Sequence, residues 1–250
     1  MNPIGRIRSG FTAKFGVPRQ ASLVDEAVGI LKLDPDPRFI EATRDLELFS
    51  HVWVIFLFDR NDEGDWRPTI QLPRLEVGHK VGVFASRSPH RPNRIGMSAA
   101  RLGAIDRKAP GGIEIILHGI DILDGSSVLD LKPYVPYADS ISDARGAWTE
   151  PPIRKFPVTL DPGHASVIRD SGSRNFHRFR GDPVAFVMKT LELDPRPTSQ
   201  REAMPIDDPA HEGRRFAFRV LDLDIHWEIR SGGIRVVEVL LTGVDDPMAT

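Results

Sequence analysis

The sequence predicts a mainly β protein, with an N-terminal antiparallel barrel or sandwich and a smaller C-terminal α+β domain. Short apolar runs separated by turn signals such as APGG and LDGS recur through the first part of the chain, which is typical of antiparallel sheets. Strands and helices do not alternate regularly, and this disfavours a doubly wound sheet. With 250 residues, of which 40% are apolar, the chain can form one large domain or two small ones.

The elements of the first domain follow from local patterns. A proline suited to the first turn of a helix predicts a helix over Pro37–Leu46. The next stretch, Asp45–Arg60, is so densely apolar and aromatic that it predicts a strand buried on both faces. Further strands are predicted at Lys80–Ser86 and Gly112–Leu123.

A proline-rich stretch, Trp148–Pro162, predicts a linker and divides the chain into domains 1–150 and 151–250. Beyond it, apolar residues at helical spacing predict a helix over Pro183–Leu193, with Pro195 past its end. Strict alternation on either side of an SGG turn then predicts a β-hairpin over Arg215–Leu241. The second domain is therefore expected to be a small α+β unit.

Composition and motif spacing exclude several kinds of functional site. No cysteine is present, which excludes disulfides and thiolate metal sites, and the eight histidines lack HxH or HExxH spacing, so we expect no metal. The sequence contains no GxSxG elbow and no phosphate-binding loop of either common type. The N-terminal segment lacks the apolar core of a secretory signal, and the longest apolar run, near Val52–Phe58, is too short for a membrane span. We expect a cytoplasmic protein without a membrane partner.

Positive charge is concentrated locally, although the net charge is only −2. The first 24 residues contain four cations and no acid. The stretch Phe84–Ser98 contains three arginines, a histidine and two prolines, again without an acid. Prolines stiffen a loop before it binds, and arginine presents a rigid fork of donors to carboxylates, phosphates and base edges. This loop therefore predicts an anion-binding site.

Two further stretches carry polar residues in unusual density. Lys14–Gln20 combines two cations, an amide and a proline, and reads as either a basic surface turn or part of a site. Asp121–Asp139 brings three aspartates near Gly125 and then contains both tyrosines of the chain. Its alternative interpretation is an Asp-Gly turn followed by an extended edge.

Six ordered motifs together resemble the TrmO/TsaA (YaeB, VirR) family of S-adenosylmethionine-dependent tRNA methyltransferases. The motifs are IGRIRSGFTAKFGVPRQ, FSHVWVIFLF, RPTIQLPRL, GVFASRSPHRPNRIGMS, DILDGSSVLDLKPYVPYADS and LELDPRP. The resemblance implies a β-barrel methyltransferase that binds S-adenosylmethionine at a homodimer interface. It also implies methylation of N6 of threonylcarbamoyladenosine beside the anticodon of tRNA. One departure is Arg94, which replaces the second proline of the family's RPNPIG.

Site residues carried over from the resemblance fall into three groups. The donor-binding group comprises Pro18, Arg19, Gln20, Asp59, Arg60, Arg87, Met97, His118, Gly119, Ile120 and Asp121. The group expected to contact tRNA comprises Arg91, Asn93, Arg94 and Lys132, and the candidate bases are Asp124, Asp130 and Tyr137. Within the donor group, Arg87 is expected to pair with the donor's carboxylate, backbone groups near Ile120 to meet the adenine edge, and Asp59 or Asp121 to bind ribose hydroxyls or face the sulfonium.

Two other functions remain open from sequence alone: a methyltransferase for another RNA or a small molecule, and a non-catalytic RNA-binding barrel. The C-terminal domain is expected to be separable, because all donor motifs precede Asp139. Its basic segments are Ser173–Gly181 and Arg196–Arg201, and the first sets Phe176 and Phe179 among arginines. This favours contact with the tRNA anticodon arm. An ordinary solvated helix with core phenylalanines explains them equally well.

Overall fold

The computed structural model describes residues 2–60, 66–72 and 78–242 of the chain. Its N-terminal part consists of β1 (Gly5–Arg8), β2 (Gly29–Leu33), α1 (Arg38–Ala42), β3 (His51–Leu57), β4 (Thr69–Gln71), β5 (Lys80–Gly82), β6 (Ile95–Asp106), β7 (Glu114–His118), β8 (Ser127–Pro133) and α2 (Pro136–Asp139). Six of these strands close an antiparallel barrel in the order β1-β2-β7-β6-β3-β8, and β4 and β5 form a separate pair. The predicted mainly β class, with a barrel, is confirmed.

The C-terminal part is a four-stranded sheet with helices. It consists of β9 (Val158–Thr159), α3 (Pro162–Arg174), α4 (Pro183–Glu192), α5 (Thr198–Ala203), β10 (Arg215–Val220), β11 (Leu223–Arg230) and β12 (Gly233–Leu241). The sheet order is β10-β11-β12-β9, with β9 parallel to β12. The alternating residues of β11, among them Ile225 and Trp227, are fully buried, as their period of two predicts. The predicted helix and hairpin are thus both present.

Strand β3 differs from its prediction. Its burial alternates, with Val52, Val54 and Phe56 filling the barrel while Trp53 and its outward-facing neighbours stay half-buried. A strand in a barrel wall has one inner face and one outer face. A densely apolar strand is therefore not necessarily buried on both faces within one chain. The strand expected at Lys80–Ser86 also ends early, because a 3-10 turn follows β5. Part of the RPTIQLPRL motif, residues 73–75, lies outside the described residues.

A single apolar core runs through both parts of the chain. Phe11, which follows β1, packs its ring edge-on against Phe186 of α4, with 5.1 Å between the ring centroids. The ring of Phe179 also packs against Phe186, with 4.9 Å between the ring centroids. The expected separability of the C-terminal domain therefore conflicts with the packing, because removing that domain would expose barrel-side aromatic surface to water.

Candidate functional site

The predicted donor segments meet at one end of the barrel. Strand β3 ends beside the start of β6, as the pairing of Leu57 with Ile95 shows. Strand β7 ends beside the start of β2, where Leu117 pairs with Gly29. The loops that follow β1, β3 and β7 and the loop that precedes β6 therefore open on the same end. We call this the donor end of the barrel.

Two hydrogen bonds join three of these loops. The Arg87 Nη1 group donates to Gln20 Oε1 at 2.6 Å, which links the arginine-rich loop to the turn Pro18–Gln20. Ser22 donates its backbone N–H to the carbonyl of Gly119 at 2.7 Å, which links that turn to the loop after β7. Gly119 has φ +66°, and a Cβ there would lie 3.2 Å from the Cα of Ser22, so glycine suits both the conformation and the close approach.

Asp121 is the most deeply buried acid of the predicted donor group. Its Oδ1 accepts a hydrogen bond from Ser98 Oγ at 2.5 Å. Burial raises the pKa of the Asp121 carboxyl above its ordinary value, while the Ser98 hydroxyl and the charge of Arg87 oppose this shift. The site thus holds a carboxyl group that retains its proton to a higher pH than an exposed aspartate.

His118 lies three residues before Asp121, at the end of β7. Burial lowers the pKa of the imidazole, and the nearby positive charge of Arg101 lowers it further, whereas Asp25 opposes the shift. The neutral form of His118 is therefore favoured. A neutral imidazole can donate with one ring nitrogen and accept with the other.

Asp59 is held at the donor end by strand β8. Its Oδ2 accepts from the backbone N–H of Ser127 at 3.0 Å and from the Ser127 hydroxyl at 2.9 Å. Arg6 Nη1 lies 3.9 Å from the same oxygen. Arg60 lies against Gly125, where a Cβ would approach its guanidinium to 2.5 Å. Asp59 and Arg60 thus lie at the donor end, and their part in donor binding stays a prediction.

The tip of the arginine-rich loop is organised from within. Arg91 Nη1 donates to the carbonyls of Val83 at 3.1 Å and Ser86 at 2.6 Å, and its guanidinium stacks on exposed Phe84. The carbonyl of Arg94 accepts from the backbone N–H of Phe58, and the side chain of Asn93 is exposed. Arg91 therefore stabilises the loop, in addition to being a predicted tRNA contact.

Several predicted residues lie elsewhere. Met97 and Asp130 both pair with Ile55 and occupy the outer face of the barrel, where Asp130 forms an ion pair with Lys132 at 3.0 Å. Tyr137 is 93% exposed and follows β8 at the end of the barrel opposite to the donor end. Within one chain, these four residues do not join the donor loops.

Asp124 faces the C-terminal domain. Its Oδ2 lies 3.1 Å from Arg178 Nη1, its Oδ1 accepts from the backbone N–H of Ser9 at 2.8 Å, and both paired side chains are nearly buried. A carboxylate held in a buried ion pair is a poor proton acceptor, because protonation would leave the guanidinium uncompensated. Asp124 is thus used structurally rather than being poised as a base.

The arginines expected to grip tRNA are used in the same way. Arg174 pairs with Asp222 at 2.8 Å, and Arg196 forms a buried pair with Asp194 and lies over the ring of Phe216. Phe179 is buried in the core. Only Phe176 keeps the predicted exposed character, with Arg180 stacked on it at 3.8 Å. Buried Arg178 and Phe179 are thus used in packing within the protein. Contact of the segment Ser173–Gly181 with tRNA stays a prediction.

Sequence reasoning missed residues that support the site from within. They are Ser98, Ser127, Arg6 and Ser22. Ser98 stands in the quoted motif RIGMS, so its neighbourhood was recognisable, but its partner is 23 residues away and no spacing rule links them. Among the described residues, no cluster of three or more potential ligands could hold a metal ion, and no helix is long and apolar enough to cross a membrane.

Comparison with known proteins identifies similar domains and similar full-length relatives. The model of the tRNA-methyltransferase O N-terminal domain matches residues 6–140, and that of the TrmO C-terminal domain matches residues 166–242. An Escherichia coli protein named tRNA (adenine(37)-N6)-methyltransferase is 35% identical over 234 residues, which cover 93% of this chain and 94% of the relative.

Two further relatives extend the likeness across the whole chain. A Pseudomonas aeruginosa protein, RcsF, whose name assigns it to the S-adenosylmethionine-dependent methyltransferases, is 40% identical over 96% of both chains. A crystal structure of TrmO from Pseudomonas aeruginosa superimposes with a TM-score of 0.73 at 37% identity, covering 96% of this chain and 95% of that chain. The likeness thus covers both the barrel and the C-terminal domain.

Proposed function

Because the chain belongs to the tRNA-methyltransferase O family, we propose that it transfers the methyl group of S-adenosylmethionine to N6 of adenine 37 in tRNA. It is accordingly a methyltransferase with S-adenosylmethionine as its methyl donor. The finer proposal is that the accepting base is threonylcarbamoyladenosine beside the anticodon of threonine tRNAs, and that the enzyme works in the cytoplasm.

The observation that carries this proposal is the meeting of the predicted donor segments at one end of the barrel. Arg87 reaches across to Gln20, and Ser22 reaches across to Gly119, so three segments distant in sequence form one surface. The chemistry of that surface fits the donor, because it offers a guanidinium for a carboxylate and buried Asp121 for hydroxyls or a positive centre.

Each donor-end residue has a distinct task in this proposal. Arg87, oriented by Gln20, binds the donor's carboxylate with its remaining N–H groups. Asp59, held by Ser127, binds ribose hydroxyls, and the backbone around Ile120 meets the adenine edge. When bound, S-adenosylmethionine supplies an electrophilic methyl group on a positively charged sulfur. The protein's main contribution is then to align donor and acceptor and to exclude water.

The accepting nitrogen also has to lose a proton. An attached carbamoyl group withdraws electrons, so the proton is comparatively acidic and a base would assist its removal. Asp130 and Tyr137 remain candidates, whereas we withdraw Asp124 because it is paired with Arg178. Asp121 joins the candidates, because it lies at the donor end and burial raises the pKa of its carboxyl, which makes its carboxylate a stronger base.

We further propose that the enzyme is a symmetric homodimer built through the outer face of the barrel. This face carries Trp53, Ile55 and Leu57 of β3, which are half-buried, beside Met97 of β6, which is 50% exposed. A twofold dimer buries one such patch against its copy. It would also add partner residues to a site that Met97, Asp130 and Tyr137 do not join within one chain.

The function is tested by nucleoside analysis of tRNA from cells that lack the gene. We expect N6-methyl-N6-threonylcarbamoyladenosine to disappear, unmethylated threonylcarbamoyladenosine to accumulate, and a plasmid copy to restore the methylated nucleoside. If a methyl group were lost from another RNA instead, that RNA would be the substrate and the proposed acceptor would be wrong. Unchanged RNA together with donor binding would point to a small-molecule acceptor, and unchanged RNA without donor binding to a non-catalytic barrel.

A further inference from the structure

The C-terminal domain contacts both chain segments that flank the donor end. On one side it holds residues 9–16, which lead directly into Pro18–Gln20. On the other side it holds Asp124, which follows His118–Asp121 by three residues. None of the donor residues themselves belongs to this domain.

The first flank, residues 9–16, is attached by backbone and side chain. Leu221 donates its backbone N–H to the carbonyl of Gly10 at 2.7 Å, and its own carbonyl accepts from Thr12 Oγ1 at 3.0 Å. A Cβ at Gly10 would lie 2.6 Å from the ring of Phe186, so the contact leaves no space for a side chain. Gly16, with φ +101°, packs in the same manner against the ring of Phe218. Residues 9–16, which precede the turn Pro18–Gln20, are therefore packed tightly against the C-terminal domain.

The second flank is attached through the Arg178–Asp124 pair. Arg178 is only 2% exposed, so this pair is shielded from solvent and from salt. The carboxylate of Asp124 also accepts from the backbone N–H of Ser9, and its own N–H donates to the carbonyl of Phe11 at 2.9 Å. Asp124 thus ties together the two segments that lead to opposite sides of the donor end, and Arg178 attaches Asp124 to the C-terminal domain.

We propose that the C-terminal domain positions the donor-binding loops, and that Arg178 is a positioning residue that acts through Asp124. This inference rests on the proposed binding of S-adenosylmethionine at the donor end. Loops that are held in their binding conformation before the donor arrives lose less entropy when it binds. If both flanks were released from the domain, the turn with Gln20 and the segment His118–Asp121 would no longer be fixed relative to each other, and donor affinity would fall.

The test compares Arg178→Met with Arg154→Met in the full chain. Arg154 also forms an ion pair within the C-terminal domain, with Asp207, but it does not contact Asp124. We expect Arg178→Met to raise the Kd for S-adenosylmethionine, measured by calorimetry, and the KM for it by about tenfold, with the KM for tRNA unchanged. Arg154→Met should leave all three values unchanged. A fall in kcat with an unaltered donor KM would indicate only a smaller folded fraction and would overturn the proposal.

A double variant, Asp124→Asn with Arg178→Met, separates positioning from stability. It removes the unpaired buried charge that Arg178→Met leaves behind while keeping an acceptor for Ser9, so thermal stability should recover. Donor affinity should stay reduced, because the link to the C-terminal domain is still missing. Recovery of donor affinity together with stability would overturn the proposal.

Two further outcomes keep the test decisive. If Arg178→Met does not fold, Thr12→Val removes one hydrogen bond from the first flank and should raise the donor Kd about threefold. An unchanged Kd in that variant would overturn the proposal. If the unmodified protein itself fails to bind S-adenosylmethionine, the proposed function fails, which is distinct from normal donor binding that is insensitive to Arg178.

Discussion

At the scale of single residues, three aspartates near the donor end differ because their surroundings differ. Asp121 is buried beside a hydroxyl, Asp59 accepts two hydrogen bonds from Ser127, and Asp124 is paired with a buried guanidinium. The sequence motif that contains Asp121 and Asp124 indicated a concentration of acid but not this division. Partners such as Arg178, 54 residues from Asp124, are brought together only by tertiary packing.

Replacing Asp121 by Asn should change how stability depends on pH. The folded-state pKa of Asp121 is raised above its ordinary value of 3.8 by burial, so the folded protein binds this proton more tightly than the unfolded chain does. The free energy of unfolding of the unmodified protein should therefore decrease as pH rises from about that ordinary value through the raised one. Urea unfolding at a series of pH values should show a shallower decrease for Asp121→Asn. Parallel curves for the two proteins would contradict the assignment.

Replacing Arg87 by Ala should weaken the donor more than replacing Arg94 does. Loss of a charge-assisted hydrogen bond to a carboxylate costs on the order of 1.5–3 kcal/mol, which corresponds to roughly a tenfold to hundredfold rise in Kd. Arg94 lies farther along the same loop and should affect tRNA affinity instead. Calorimetry with S-adenosylmethionine and filter binding with tRNA measure the two effects. Equal losses of both ligands in both variants would show that the loop does not divide its contacts in this way.

At the scale of elements, the arginine-rich loop has little regular structure of its own and depends on internal bonds. Arg91 replaces the missing backbone ladder by donating to two carbonyls of Val83–Ser86 while covering Phe84. The prolines alone predicted a stiff loop, and the structure shows that the side chain of Arg91 also stabilises it. A loop of this kind can present arginines without becoming disordered.

Arg91→Ala should loosen this loop without unfolding the barrel. Hydrogen exchange should accelerate across Val83–Arg94, because the carbonyls lose their donor, and should remain slow in β3 and β6. Arg91→Lys tests whether charge alone suffices, since an ammonium group lacks the planar fork and we expect it to rescue the loop only partly. Unchanged exchange in Arg91→Ala would mean that the prolines hold the loop by themselves.

The helices illustrate how far sequence patterns lead. Helix α4 was predicted from its apolar spacing, whereas α3 was missed because it contains two glycines and several polar residues. A local signal for α3 nevertheless exists, since Asp161-Pro162 caps it as Asp182-Pro183 caps α4, with the carboxylate accepting the backbone N–H of His164. The early end of the strand predicted at Lys80–Ser86 had no comparable signal, because Arg91 stabilises that turn from outside it.

At the scale of the whole molecule, the barrel and the C-terminal sheet share one core, but the outer face of β3 is only partly covered within one chain. The dense apolar sequence of β3 correctly indicated burial on the inner face. Its outer face is buried only to an intermediate degree within one chain. A second copy of the chain would account for the remaining apolar surface, which the sequence of a single chain could not distinguish from core.

A charge on this outer face should therefore dissociate the proposed dimer. We expect light scattering at micromolar concentration to give twice the monomer mass for the unmodified protein and for Leu48→Glu, which changes an exposed apolar residue elsewhere on the N-terminal domain. Met97→Glu should shift the population toward monomers, because an unpaired charge is costly to bury in an interface. A fully active monomer of the unmodified protein would refute the dimer.

Reconstitution with purified components tests the central claim most directly. The protein is incubated with S-adenosylmethionine carrying a deuterated methyl group and with threonine tRNA from cells lacking the gene, and the tRNA nucleosides are analysed by mass spectrometry. We predict that the deuterated methyl group appears on N6 of threonylcarbamoyladenosine, and that it is absent when Arg87→Ala is used at donor concentrations limiting for the variant. A tRNA that acquires no label, or acquires it on another nucleoside, while the protein binds the donor would contradict the proposed reaction.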